Sequence, residues 1–132
     1  MELEVRAALD KFRSGEEESA FFDLIELPGD MLPAMIQVFR TEQDADIRGL
    51  LVKVAWERRD QAAVPFLKEA LIQSEEQVWQ QALDGLVAFA SPESLEILQR
   101  ARTHVHQDEA AAKRFRLWLE EAIQQVEFEL RR

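Results

Sequence analysis

The chain has 132 residues, 47% of them hydrophobic, with a net charge of −10 and no cysteine. That is enough for one domain with its own core, and it excludes disulfides, thiolate metal sites and cysteine nucleophiles. No window approaches the roughly eighteen apolar residues of a membrane span, and the start MELEVRAALDKF lacks the basic-then-apolar order of a signal peptide, so a cytoplasmic protein is expected.

Four glycines, four prolines and few β-branched residues leave strands little support. In chain order, Val5, Ala8, Leu9 and Phe12 share one face of a first helix that Ser14-Gly15 ends. Glu16, Glu17 and Glu18 suit the positive end of a second helix, whose expected inner face is Phe21, Phe22 and Ile25. Pro28-Gly29 stops it, and Asp30 is placed to cap a third helix over 31–40 that buries Leu32, Met35, Ile36 and Phe39.

A fourth helix, over 44–59, buries Ile47, Leu51, Val54, Ala55 and the stem of Arg58. Asp60 caps a fifth with Val64, Leu67, Ala70 and Leu71 inside. Ser74 with Gln77 predicts a capping box for the sixth. Ser91 followed by Pro92 opens the seventh. The last helix begins near Asp108 and carries Ala111, Phe115, Trp118, Leu119, Ala122, Ile123 and Val126. Short connections imply antiparallel hairpins.

A repeat arranges these hairpins. Ile47, Leu51, Val52 and Ala55 return as Val78, Ala82, Leu83 and Leu86, all 31 residues on. Val64, Leu67 and Ala70 return as Leu95, Leu98 and Ala101 at the same spacing, and Pro33 returns as Pro65 at 32. Such a period over helical pairs predicts a stacked α-solenoid, in which each hairpin buries its face against its neighbours.

These units resemble HEAT repeats: Pro33 in LPAMIQVF, the acidic turn TEQDAD, and the aliphatic–arginine pair Ile47-Arg48. The next copy has Pro65, the turn SEE, and Val78-Trp79 where the pair would stand; the third, SLEILQRA, lacks the proline. The resemblance implies an all-α, right-handed superhelix of about four hairpins. These are a degenerate cap over 1–27 and repeat hairpins over 28–59, 60–90 and 91–130. It also implies a concave surface lined by the second helix of each hairpin, and a short bacterial type whose members mostly bind proteins. Some relatives of that type are immunity proteins, lyase-like chaperones or DNA-repair enzymes.

Trp79 falls near the middle of the apolar arc of its helix, so it is expected to wedge between hairpins in the slot that Arg48 holds one repeat earlier. The sharper alternative makes it a partner anchor at the groove rim. In HEAT-like units the arginine is expected to pair with a turn acid, here Glu42, Asp44 or Glu75. The outer face of the sixth helix holds Gln77, Gln80, Gln81 and Asp84, matching Asp46, Gly49, Leu50 and Lys53 in the preceding unit. These residues, with Lys113, Arg116 and Leu117, are expected to line the groove. Leu117 and Phe128 also stand off the main apolar stripe and could mark a partner or dimer contact.

Charge is unevenly placed: −8 over 1–46, +3 over 47–68, −6 over 69–99 and +1 over the remainder. An acidic field repels phosphate backbones and attracts basic proteins. Chemistry has little support. His104 and His106 match no zinc spacing, there is no nucleophile elbow, and Gly15, Gly29, Gly49 and Gly85 are too isolated to cradle phosphate.

The sequence therefore predicts a non-enzymatic protein-interaction module with no cofactor and no metal, monomeric or weakly dimeric. In its specific form it is an acidic adaptor or immunity-type protein that masks a basic partner, with Lys53, Glu75, Glu76, Trp79, Gln80, Asp84 and Leu117 as candidate contacts. The alternative is a lyase-like chaperone or small-molecule binder with a pocket near Trp56, Trp79 and Trp118. A third reading is a terminal piece of a longer assembly.

Overall fold

A computed structural model describes residues 2–132. Among them are eight α-helices and no strand: α1 (Glu2–Arg13), α2 (Glu17–Ile25), α3 (Leu32–Thr41), α4 (Ala45–Glu57), α5 (Val64–Leu71), α6 (Glu76–Phe89), α7 (Pro92–Arg100) and α8 (Glu109–Arg131). Single 3-10 turns lead into α3 and α5 and follow α7.

Consecutive helices pair as hairpins, and the second helices stack in a row, α2 on α4, α4 on α6 and α6 on α8. The outcome is the predicted all-α solenoid. One core cluster runs without interruption from Val5 in α1 to Val126 in α8.

The turns between hairpins repeat with the helices. Arg59 and Ala90, 31 residues apart, both adopt positive φ, 58° and 47°. Each is followed by a residue whose side chain accepts from the next turn: Asp60 from the Ala62 N–H and Ser91 from the Ser94 N–H. This reverses the chain and caps the following helix within two residues. Pro33, Pro65 and Pro92 all stand in first turns, where no backbone donor is lost.

Arginines tie one hairpin to the next. Arg13 reaches Glu42 at 2.6 Å, and Arg40 grips Glu69 through two hydrogen bonds of 2.7 and 2.9 Å. The Arg40 guanidinium holds the Glu69 carboxyl below its ordinary pKa. Arg58, its stem half-buried as expected, donates to the Leu24 and Ile25 carbonyls and so satisfies the end of α2.

Three local expectations are corrected. The inner face of α2 is Ala20 and Leu24; Phe21 and Ile25 are half-buried, and Phe22 is 50% exposed. Asp30 lies inside the 3-10 turn before α3 and caps nothing, because the chain enters α3 already wound. The Ser74–Gln77 box does not form: Glu75 is the N-cap of α6 and its side chain turns toward Arg48. His104 and His106 lie in the connection between α7 and α8, where His106 turns inward and is 6% exposed, packed among Phe115, Trp79 and His104.

Candidate functional site

The second helices α2, α4 and α6, with Phe12 of α1, line a groove about 720 Å³ in volume. Its floor is apolar, from Phe12, Phe21, Phe22 and Leu50. Glu17 and Glu18 at the start of α2 and Asp46 at the start of α4 supply negative charge, and Gln77, Gln80 and Gln81 of α6 form the far wall. Gly49 brings that wall close: a Cβ there would lie 3.1 Å from the Gln77 carbonyl oxygen.

Lys53 is the cation in this lining. Its Nζ stands 5.1 Å from the centre of the Phe21 ring, a cation–π contact. Among the described residues no ion pair holds Lys53, Glu17, Glu18 or Asp46; Asp46 accepts a 3.3 Å hydrogen bond from Gln77. The groove therefore combines an aromatic floor with polar walls that carry unneutralised acids.

The candidate contacts divide. Lys53 and Gln80 lie in the groove with Asp46, Gly49, Leu50, Gln77 and Gln81, the faces matched by the repeat. Glu75 and Glu76 do not: Glu75 lies 3.4 Å from the Arg48 Nε, and Glu76 accepts from Arg114 of α8 at 2.5 Å. Asp84 sits apart, in a shallow depression with Leu83, Val87 and Trp118, where desolvation pushes its carboxyl up from the ordinary value. Leu117 is 69% exposed on α8, and neither it nor Lys113 or Arg116 reaches the groove.

Trp79 is fully buried at 0% exposure, ringed by His106, Phe115 and Trp118, so it is core and not a partner anchor. Trp56 donates its indole N–H to Gln81 at 3.0 Å, Trp118 borders the depression that holds Asp84, and Trp79 is sealed, so the three indoles do not line one common cavity.

Residues 32–114 match the family profile of HEAT repeats. The chain belongs to the HEAT-repeat family. Neither the curated proteins nor the solved structures gave a match. HEAT repeats generally mediate protein–protein interaction, and the family is typically a scaffold rather than an enzyme. No helix of the described residues is long and apolar enough to cross a membrane.

The HEAT arginine behaves as the resemblance implied. Arg48 approaches the turn acid Glu75, accepts support from Gln73 by donating to its Oε1 at 2.9 Å, and lies 4.1 Å over the Phe39 ring. Phe21, Phe22, Glu17 and Glu18 are groove residues that the sequence reading assigned elsewhere. A signal existed: adjacent residues on a helix point about 100° apart, so Phe21 and Phe22 could not both share the stripe that Ala20 and Leu24 define four residues apart.

Proposed function

We propose that this HEAT-repeat protein is a non-enzymatic adaptor or immunity-type module that masks a basic surface of a partner protein with the groove between α2, α4 and α6. The observation that carries the reading is the pairing of an apolar floor with Glu17, Glu18 and Asp46, acids that no internal arginine or lysine neutralises among the described residues. A surface that only needs solubility spreads its acids among polar neighbours; here they border exposed aromatic area, which water disfavours and a partner would cover.

The partner-facing charge in this reading lies on α2 and α4. Of the acids in 69–99, Glu69, Glu75, Glu76 and Glu96 already meet arginines, which removes them as free attraction for a partner. Lys53 and Gln80 are contacts in this reading, and Leu117 belongs to a separate surface.

A photo-cross-linking residue in place of Phe22, and separately in place of Leu117, tests it in native lysate. Discrete protein adducts are expected at Phe22, lost when Glu17→Lys and Glu18→Lys are added to a chain that circular dichroism shows to be folded. Adducts that survive the two lysines, or that form equally from Leu117, would sink the groove as the binding face.

A further inference from the structure

Lys53 is an unusual feature of the groove. It is a cation in a trough with three acids that no other cation neutralises, yet it pairs with none of them and instead lies over the face of Phe21. A cation–π contact between half-buried side chains, with no ion pair beside it, is a modest hold, and a lysine on a flexible four-carbon stem can swing out of it. The ring face beneath it is a ready seat for another cation, flanked on the same floor by the half-exposed Phe22 and by Leu50.

Resting on the reading above, we propose that the groove receives one amphipathic α-helix of the partner, and that a lysine or arginine of this helix displaces Lys53 from Phe21. The geometry favours a helix over an extended strand. The walls are α-helices whose backbone groups are bonded internally, so no sheet edge is offered, and recognition must come from side chains that project together at helical spacing. A volume of about 720 Å³ holds a few such side chains and not a folded domain. Apolar anchors meet Phe22 and Leu50, while basic flanking residues meet Glu17, Glu18 and Asp46. Lys53 then sets specificity: it opposes a basic ligand until displaced, and it lowers affinity for any cation that fails to bring apolar anchors with it.

The probe is a fluorescein-labelled amphipathic helix of about 18 residues, with a Leu/Phe stripe flanked by lysines, beside an analogue with glutamates for the lysines. Binding to the full chain is read by anisotropy for wild type, Lys53→Met and Phe22→Ser, with folding checked by circular dichroism. The lysine peptide is expected to bind wild type in a salt-sensitive way, to bind Lys53→Met about three- to tenfold more tightly, and to bind Phe22→Ser about tenfold more weakly. The glutamate analogue is expected not to bind. Equal or weaker binding to Lys53→Met overturns the displacement. Equal binding of the glutamate analogue, or no binding of the lysine peptide to wild type and Lys53→Met alike, overturns the basic-helix occupant. Either failure leaves the Phe22 cross-link as the separate measure of whether the groove binds a protein at all.

Discussion

Arg48 and Trp79 stand at the same place in consecutive repeats, and each meets the residue 27 positions further on. Arg48 meets Glu75 at 3.4 Å; Trp79 meets His106, with ring centres 5.9 Å apart. Each also lies against a phenylalanine, the guanidinium over Phe39 at 4.1 Å and the indole edge-on to Phe115 at 5.2 Å. An acid faces a base in one slot, and a ring faces a ring in the next. The difference follows from cover. The Arg48 and Glu75 side chains remain 12% and 27% exposed, so part of the pair meets water, although the Arg48 Nε is itself buried without a hydrogen-bond partner. The Trp79 slot is closed by the 23-residue α8, and a sealed slot is costly for a charge and favourable for a large ring.

Trp79→Arg puts the arginine of one slot into the sealed environment of the other, and it has the largest expected effect. A buried charge without a counter-charge should cost about 4 kcal/mol in urea unfolding. Adding His106→Glu rebuilds the acid at the matching position and should restore about 1–2 kcal/mol. A double variant no more stable than Trp79→Arg alone would show that the two slots share a register without sharing a geometry.

A second exchange separates the repeats at Gly85, which stands where the preceding unit has Val54. A Cβ on Gly85 would lie 2.7 Å from the Cβ of Trp56 and 2.9 Å from Leu67, the first a near-backbone atom that cannot swing aside. The position matching Trp56 one repeat earlier is Ile25, so a larger residue on one side accompanies a smaller one on the other. Gly85→Ala should therefore destabilise by about 2–3 kcal/mol, although alanine is the better helix former by about 1 kcal/mol. A neutral or stabilising result in thermal denaturation would mean that α4 and α6 can slide apart at little cost.

Helices, hairpin order and the 31-residue register were legible because each is written in local spacing. Ala82 and Leu86 repeat Leu51 and Ala55 whatever surrounds them. The groove was half legible for the same reason: Lys53 and Gln80 occupy matched outer faces, which the repeat alone brings together. Its other half was hidden, because α2 belongs to the degenerate first hairpin and EEESAFFDLI offers apolar residues at more than one angle. Which angle turns inward is decided by packing on α1 and α4, not by the stretch itself. The Arg48–Glu75 pair was among those the resemblance implied, but the partner of Glu76 was hidden for a different reason: Arg114 lies 38 residues away, and no local pattern announces so distant an ion pair.

The smallest effect separates the slots by pH. The His106 Nε2 is buried without a hydrogen-bond partner, as is the Trp79 Nε1. Desolvation first, and repulsion from His104 second, lower the His106 pKa from its ordinary value. A depressed folded-state pKa means that the stabilising contribution is present above the unfolded value, about 6.5, and is lost as pH falls from there through the folded value. His106→Phe keeps a ring against Phe115 and Trp79 and removes both the unpaired nitrogen and the titration. At pH 8 the variant should be more stable than wild type by about 1 kcal/mol. On acidification toward pH 5 that advantage should widen, because wild type loses stability at this site and the variant does not. Urea midpoints followed by tryptophan fluorescence at both pH values check this. A constant difference would mean that His106 titrates alike in the folded and unfolded chain, and an advantage that shrinks on acidification would mean that the imidazolium finds a counter-charge in the slot after all. In that case the Trp79 slot would be closer in kind to the Arg48 slot than its sealed rings indicate.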